Sequence, residues 1–119
     1  MKFLCLGYYD QAAFDQAPKA ETRSLMEDCN TRCDRLRETG KVLIERGLDH
    51  PLKAKCVRSR KGTRTVTDGP FAETKEQLGS FFIIEAENME EAIELASLHP
   101  GAFMGEEFGF GIEIRQFED

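Results

Sequence analysis

The sequence predicts an α+β domain of ferredoxin-like βαββαβ type, with a polar β-hairpin inserted ahead of the third core strand. Three observations carry this. Two apolar runs with little alternation, Phe3 to Tyr9 and Ser80 to Ala86 ("SFFIIEA"), read as strands covered on both faces. Each run is followed by a segment of helical period. Between the two halves stand two polar, β-prone segments, Cys56 to Arg60 and Thr63 to Thr67, flanking Lys61-Gly62.

The elements follow in order. After the first strand, Pro18 suits the first turn of a helix, and Leu25, Cys29, Cys33 and Leu36 recur at spacings of four, four and three, one apolar helix face. Gly40 ends that helix in a left-handed conformation. Val42, Leu43 and Ile44 start a short strand. A two-residue hairpin turn at Lys61-Gly62 sets Val57 opposite Val66. Asn88 with Glu91 has the form of a capping box, opening a helix with Met89, Ala92, Ile93 and Ala96 on its inner side and Pro100 soon after its end. A loop holding Gly101, Gly105 and Gly109 leads to the last strand, "GIEIRQF", where Ile112 and Ile114 alternate with Glu113 and Arg115. Two helices cover only one face of such a sheet. Its apolar central strands therefore call for a second subunit on the other, and a homodimer is expected.

A chain of 119 residues with 40% apolar residues and four prolines suffices for one globular domain with one core, residues 1–119. The amino terminus is too short an apolar run for a secretory signal, and no segment approaches a membrane span, so the cytoplasm is the expected location. The four cysteines then read as free thiols, with Cys29 and Cys33 buried as small hydrophobes. No paired metal motif accompanies them, and neither a metal nor a cofactor is expected.

The net charge of −6 hides an asymmetry. Residues 1–64 hold fourteen Lys/Arg against nine Asp/Glu, or +5, while residues 65–119 hold two against thirteen, or −11. Six cations, Lys53, Lys55, Arg58, Arg60, Lys61 and Arg64, lie in "KAKCVRSRKGTR". Such a cluster attracts phosphate or carboxylate groups. The plainer alternative is a solvated hairpin facing the acidic half of its own chain or of a partner. An acidic chain without a nucleic-acid motif is not expected to bind DNA directly.

The stretch "DGPFAETKEQ", residues 68–77, carries more chemistry than a strand connection needs. Asp68-Gly69-Pro70 is turn chemistry, and Thr74 with Gln77 has the spacing of a cap on a short helical turn. Phe71 reads as an anchor into the core. Glu73, Lys75 and Glu76 remain as charged groups on the rim of a cleft. The candidate ligand-binding residues are accordingly Gly69, Pro70, Phe71, Glu73, Lys75 and Arg58, with a small acidic or aromatic ligand in view. His99, before Pro100 at a helix end, reads as structural, its imidazolium facing the last carbonyls.

"TDGPFAETKEQLGSFFIIEA", with "MKFLCLGYYD" at the start and "GIEIRQF" near the end, resembles the DGPF-domain proteins, a branch of the YCII-related family. The resemblance covers nearly the whole chain and implies a ferredoxin-like subunit pairing into a dimeric α+β barrel. It also implies two classes of function. Many YCII-like proteins carry an aspartate near the place Asp68 takes, with a histidine in the first helix, and one branch includes a dechlorinating enzyme of aromatic catabolism. On that pattern Asp68 is the candidate catalytic acid or base of a lyase- or hydrolase-like reaction. The helical histidine, expected around Cys29 or Asn30, is absent, and His50 in "GLDHPLK" is the substitute that a loop would have to bring to Asp68. Other members are fused to, or encoded beside, extracytoplasmic-function sigma factors, which implies a small-molecule- or protein-binding module tied to transcription, with a sigma factor as partner. The missing histidine favours the binding module. In a third reading the DGPF loop only fixes the hairpin.

Overall fold

The computed structural model describes residues 1–118. The chain runs β1 (Lys2–Asp10), α1 (Gln11–Gln16), α2 (Lys19–Arg32), α3 (Asp34–Glu38), β2 (Val42–Gly47), β3 (Lys55–Arg60), β4 (Thr63–Asp68), β5 (Glu76–Glu85), α4 (Met89–Ala96), α5 (Pro100–Phe103) and β6 (Gly111–Gln116), with 3-10 turns at Pro51–Lys53 and Glu106–Phe108. Four strands make one antiparallel sheet in the order β2-β5-β1-β6, and β3 with β4 makes a separate two-stranded sheet. No helix among the described residues is long and apolar enough to cross a membrane.

Period-two alternation decides which face is the core. Phe3 and Cys5 of β1 and Phe82 and Ile84 of β5 pair across the centre of the sheet and meet Leu36, Cys33, Ala92 and Ala96 from the helices. Val42, Ile112 and Ile114 close this core at the edges. The other face carries Leu4 and Leu6 opposite Ile83 and Phe81, with Ile44 beside Ile83, all half-buried, and Arg46, Glu113 and Arg115 toward the edges. The chain is a slab 18 Å thick in its thinnest direction, the depth of one sheet and one helix layer. All four cysteines are free and buried, Cys29 and Cys33 as the first helix stripe predicts.

Several local expectations hold and several are corrected. Lys61 and Gly62 both adopt positive φ, 52° and 80°, and Val57 stands opposite Val66, the predicted hairpin. Gly40, with φ 72°, ends the helical segment. Asn88 accepts a hydrogen bond from the Glu91 amide at 2.9 Å, so the α4 cap forms.

The single helix predicted from Pro18 to Leu36 is instead divided at Cys33, because Arg37 Nη1 donates to the Asn30 carbonyl at 2.8 Å and takes the acceptor a continuous helix would use. Asp10 starts the unforeseen α1 by accepting from the Ala13 amide. Residues 76–79 are strand, not the end of a helical turn: the Gln77 side-chain Nε2 donates to the Ala72 and Thr74 carbonyls, and the Thr74 hydroxyl donates to the Glu76 carbonyl, which together close the preceding loop. Phe71 is no core anchor; it is 68% exposed. In α4 only Ala92 and Ala96 are buried, whereas Met89 and Ile93 are 39% and 49% exposed. The stripe that packs on the sheet is narrower than the apolar pattern of that helix.

Leu36 is fully buried where helix meets sheet. Leu36→Ala should destabilise the fold by about 2–5 kcal/mol, lost transfer energy plus a cavity, seen as a lower urea midpoint with an unchanged slope.

Candidate functional site

The same alternation that builds the core also opens a hole in it. Two residues beyond the Glu45–Phe82–Cys5–Ile114 row, the helix-side positions are Gly47, Ser80, Gly7 and Ile112. Three of these four have little or no side chain, so the sheet falls away from α2 there. A Cβ on Gly7 would collide with Ser80 Oγ, which lies over it, while a Cβ on Gly47 would meet nothing within 4 Å. Beside this row the pairing of β1 with β5 slips by one residue at Gly79, and the Tyr9 ring takes the place where a Gly79 Cβ would be, 2.8 Å from it. The result is a cavity of about 280 Å³ floored by Gly7, Gly47, Gly79 and Ser80, walled by Tyr9, Phe14, Met26, Cys29, Phe110 and Ile112, and closed at one end by His99, Pro100 and Gly101.

No Lys, Arg, Asp or Glu lines this cavity. Its polar chemistry comes from His99, Ser80 and Tyr9; the Tyr8 hydroxyl donates to Glu113 on the open face. His99 stacks on Phe82 with ring centroids 4.8 Å apart and planes 8° from parallel. Its Nδ1 accepts from the Gly101 amide at 2.9 Å, which caps α5 and leaves the ring proton on Nε2. Among the described residues no hydrogen-bond partner meets Nε2, and no buried polar atom is left unpaired, so this N–H keeps access to the space beside it. Burial holds the His99 pKa below its ordinary value, more strongly than the nearby Glu45 raises it. His99 is therefore a neutral donor, not the imidazolium expected at the end of α4. Tyr9 is likewise kept protonated, its pKa raised by burial and by the charge of Asp15.

The residues singled out from the sequence lie elsewhere, and none of residues 68–75 lines the cavity. Asp68 sits at the base of the hairpin, exposed and paired with Lys55, which holds its carboxyl below the usual range. The Gly69 amide donates to the Ala54 carbonyl at 2.8 Å, and a Cβ at Gly69 would come within 2.8 Å of the Ala54 Cβ. This close approach is what requires glycine before Pro70. The Arg58 guanidinium lies 4.0 Å from the Phe71 ring centroid, Lys75 reaches Asp10 at 3.8 Å, and Glu73 is exposed. Together these contacts fasten the hairpin to the start of β5.

His50 does not meet Asp68. Its Nε2 lies 2.9 Å from Asp15 Oδ2, and its Nδ1 accepts from the Leu52 amide at 3.1 Å, so both ring nitrogens are used in tying the 3-10 turn to α1. The Gln11 amide, and then His50, hold the Asp15 carboxyl below its ordinary value. A carboxylate–imidazole pair exists, but with Asp15 in place of Asp68. Sequence reasoning missed the cavity residues, although glycine inside two otherwise bulky strands, at Gly7 and Gly79, was a signal for close backbone approach or a ligand.

Fold and cavity define a class of protein, an α+β domain with a one-layer antiparallel sheet and an uncharged hollow between sheet and helices. Residues 1–116 match the YCII-related domain, and the chain belongs to that family. An uncharacterised protein of Rhizobium meliloti (strain 1021) is 33% identical over 96 residues, 81% of this chain and 77% of that protein. Among solved structures, the 5-chloro-2-hydroxyhydroquinone dehydrochlorinase of Burkholderia phenoliruptrix AC1100, in complex with 2,5-dihydroxybenzoquinone, superposes with a TM-score of 0.51 over 99% of this chain and 94% of that one, at 16% identity. That likeness is one of fold.

Because the folded state holds His99 neutral while the unfolded chain titrates near 6.5, the unfolded state gains a proton first as pH falls. Stability should be fully present above about pH 6.5 and decline below it. Urea midpoints across pH 5–8 check this. His99→Asn, which keeps a capping acceptor for Gly101, should remove this component of the slope; an unchanged slope would assign it to other groups.

Proposed function

We propose that the protein binds a small, uncharged, planar aromatic molecule in the cavity between β1, β5 and α2. The observation that carries this reading is the lining itself: aromatic and aliphatic walls, no ionised side chain, and one imidazole N–H free to meet an acceptor oxygen. Ligand sites combine mostly apolar walls with a few placed polar groups, and this cavity has that composition. Its volume also fits. An apolar cavity on the order of 150 Å³ holds benzene, so about 280 Å³ has room for one substituted ring. Of the acidic or aromatic ligands expected from the sequence, the lining favours the aromatic, because the cations that would hold an acid sit on the hairpin. The dehydrochlorinase of similar fold holds 2,5-dihydroxybenzoquinone, a ligand of this shape; that parallel is an analogy of fold.

The functional unit in this reading is a homodimer of ferredoxin-like subunits, paired through the open faces of their sheets into an α+β barrel. Leu4, Leu6, Ile44, Phe81 and Ile83 form an apolar centre with charged groups at its edges, the composition of a subunit interface. Asp68 plays no proton-transfer part here. A carboxyl held charged by Lys55 is a poor proton donor, and the reading assigns the DGPF loop to fastening the hairpin.

A thermal-shift series with phenols, quinones and aromatic ketones, and with benzoates as charged controls, tests the binding. A ligand at 100 times its Kd stabilises the folded state by about 2.7 kcal/mol. We expect neutral rings to raise Tm, Gly47→Leu to abolish the rise by filling the floor, and Asp68→Asn to leave it intact. A rise lost in Asp68→Asn and kept in Gly47→Leu would move the site to the DGPF loop; a blank across the set would send the search to protein partners such as sigma factors.

A further inference from the structure

The charge asymmetry of the sequence has no part in the neutral cavity, and the structure gives it a location. Six cations lie between residues 53 and 64, five of them on the β3–β4 hairpin, whose one acidic residue, Asp68, pairs with Lys55 at its base. On one of its faces Val57 and Val66 stand opposite each other, 63% and 54% exposed. A two-stranded sheet is marginal in water unless something packs on it, and here none of the described residues covers the valine pair. The shape says the same. The radius of gyration is 16.0 Å, against about 13.5 Å for a compact chain of this length.

A matching surface lies on α4. Met89 and Ile93, one helical turn apart, are its exposed apolar residues, and Glu87, Glu90 and Glu94 are exposed around them. No Lys or Arg occurs anywhere from residue 76 to residue 114. One surface is an apolar pair flanked on its own face by Arg64 and by Lys55, the latter bound to Asp68, with Lys61 at the turn; the other is an apolar pair rimmed by carboxylates, and both pairs are exposed. We propose that the hairpin of one copy docks on the α4 face of a second copy, Val57 and Val66 against Met89 and Ile93, with Lys61, Arg64 and their neighbours facing Glu87, Glu90 and Glu94. The contact is reciprocal in a two-fold pair, since each copy carries both surfaces. It is separate from the open sheet face and from the cavity, and stands or falls without them.

Carbodiimide cross-linking, which joins a lysine amine directly to a carboxylate, tests this on the full chain. Copies labelled with 14N and 15N are unfolded and refolded together, cross-linked at low salt and digested for mass spectrometry. Expected are mixed-isotope peptides joining Lys53 or Lys61 to Glu87, Glu90 or Glu94, at least fivefold weaker in 0.5 M salt, where the Debye length is only a few ångströms. Lys55–Asp68 links within one isotope serve as the internal control. Val57→Glu with Val66→Glu should abolish the mixed peptides; if that variant fails to fold, Ile93→Glu on the exposed helix face gives the same readout. Mixed peptides that avoid residues 87–94, persist in Ile93→Glu, or fail to form while the control link does would overturn the proposal.

Discussion

The pairing of β1 with β5 is the constraint on which the rest of the molecule depends. These are the two central strands, and their register places Phe3 opposite Ile84 and Cys5 opposite Phe82 on the helix side. A slip of one residue by either strand would turn its two core residues away from the helices, so the register is fixed by the burial it provides. That register holds as far as Gly7 and Ser80 and then breaks at Gly79. Core and cavity are thus consecutive stretches of one ladder. Where the paired residues are large the helices sit down on the sheet, and where they are small the helices bridge over it.

Polarity is sorted with the same economy. Ionised side chains pair locally, half-buried in Arg37 with Glu45 and at the surface in Arg37 with Asp34, Lys55 with Asp68 and Lys53 with Asp49. Such exposed pairs add little to stability. Their effect is to leave the interior neutral, with His99 deprotonated between Phe82 and the α5 cap.

Much of the fold was legible because it rests on short-range patterns. The apolar runs, the Leu25/Cys29/Cys33/Leu36 stripe, the Lys61-Gly62 turn and the Asn88 cap are decided by neighbours within a few residues, and each appears where its pattern puts it. What escaped depends on where a polar side chain turns back, which residue spacing alone does not show. Arg37 reaching back to Asn30 divides a helix whose apolar period is unbroken. Gln77, read as a cap by spacing alone, closes a loop because β5 begins earlier than its apolar run. The cavity went unread for a related reason. Charged and unusual residues at 68–77 draw attention in a sequence, whereas the cavity is made by what is missing from Gly7, Gly47 and Gly79, and three gaps converge only once the strands are paired.

The cysteines, buried among the apolar residues, bear on how the protein meets oxidants and alkylating reagents. Thiol reactivity follows the thiolate, and burial pushes Cys5 up to about 12 and Cys33, beside Glu45, up to about 11, with Cys29 raised as well. At neutral pH these sulfurs are almost wholly protonated and shielded. These three are a quiet background for chemistry: a single cysteine engineered on the surface would stand out against them, open to a fluorophore or spin label that they ignore.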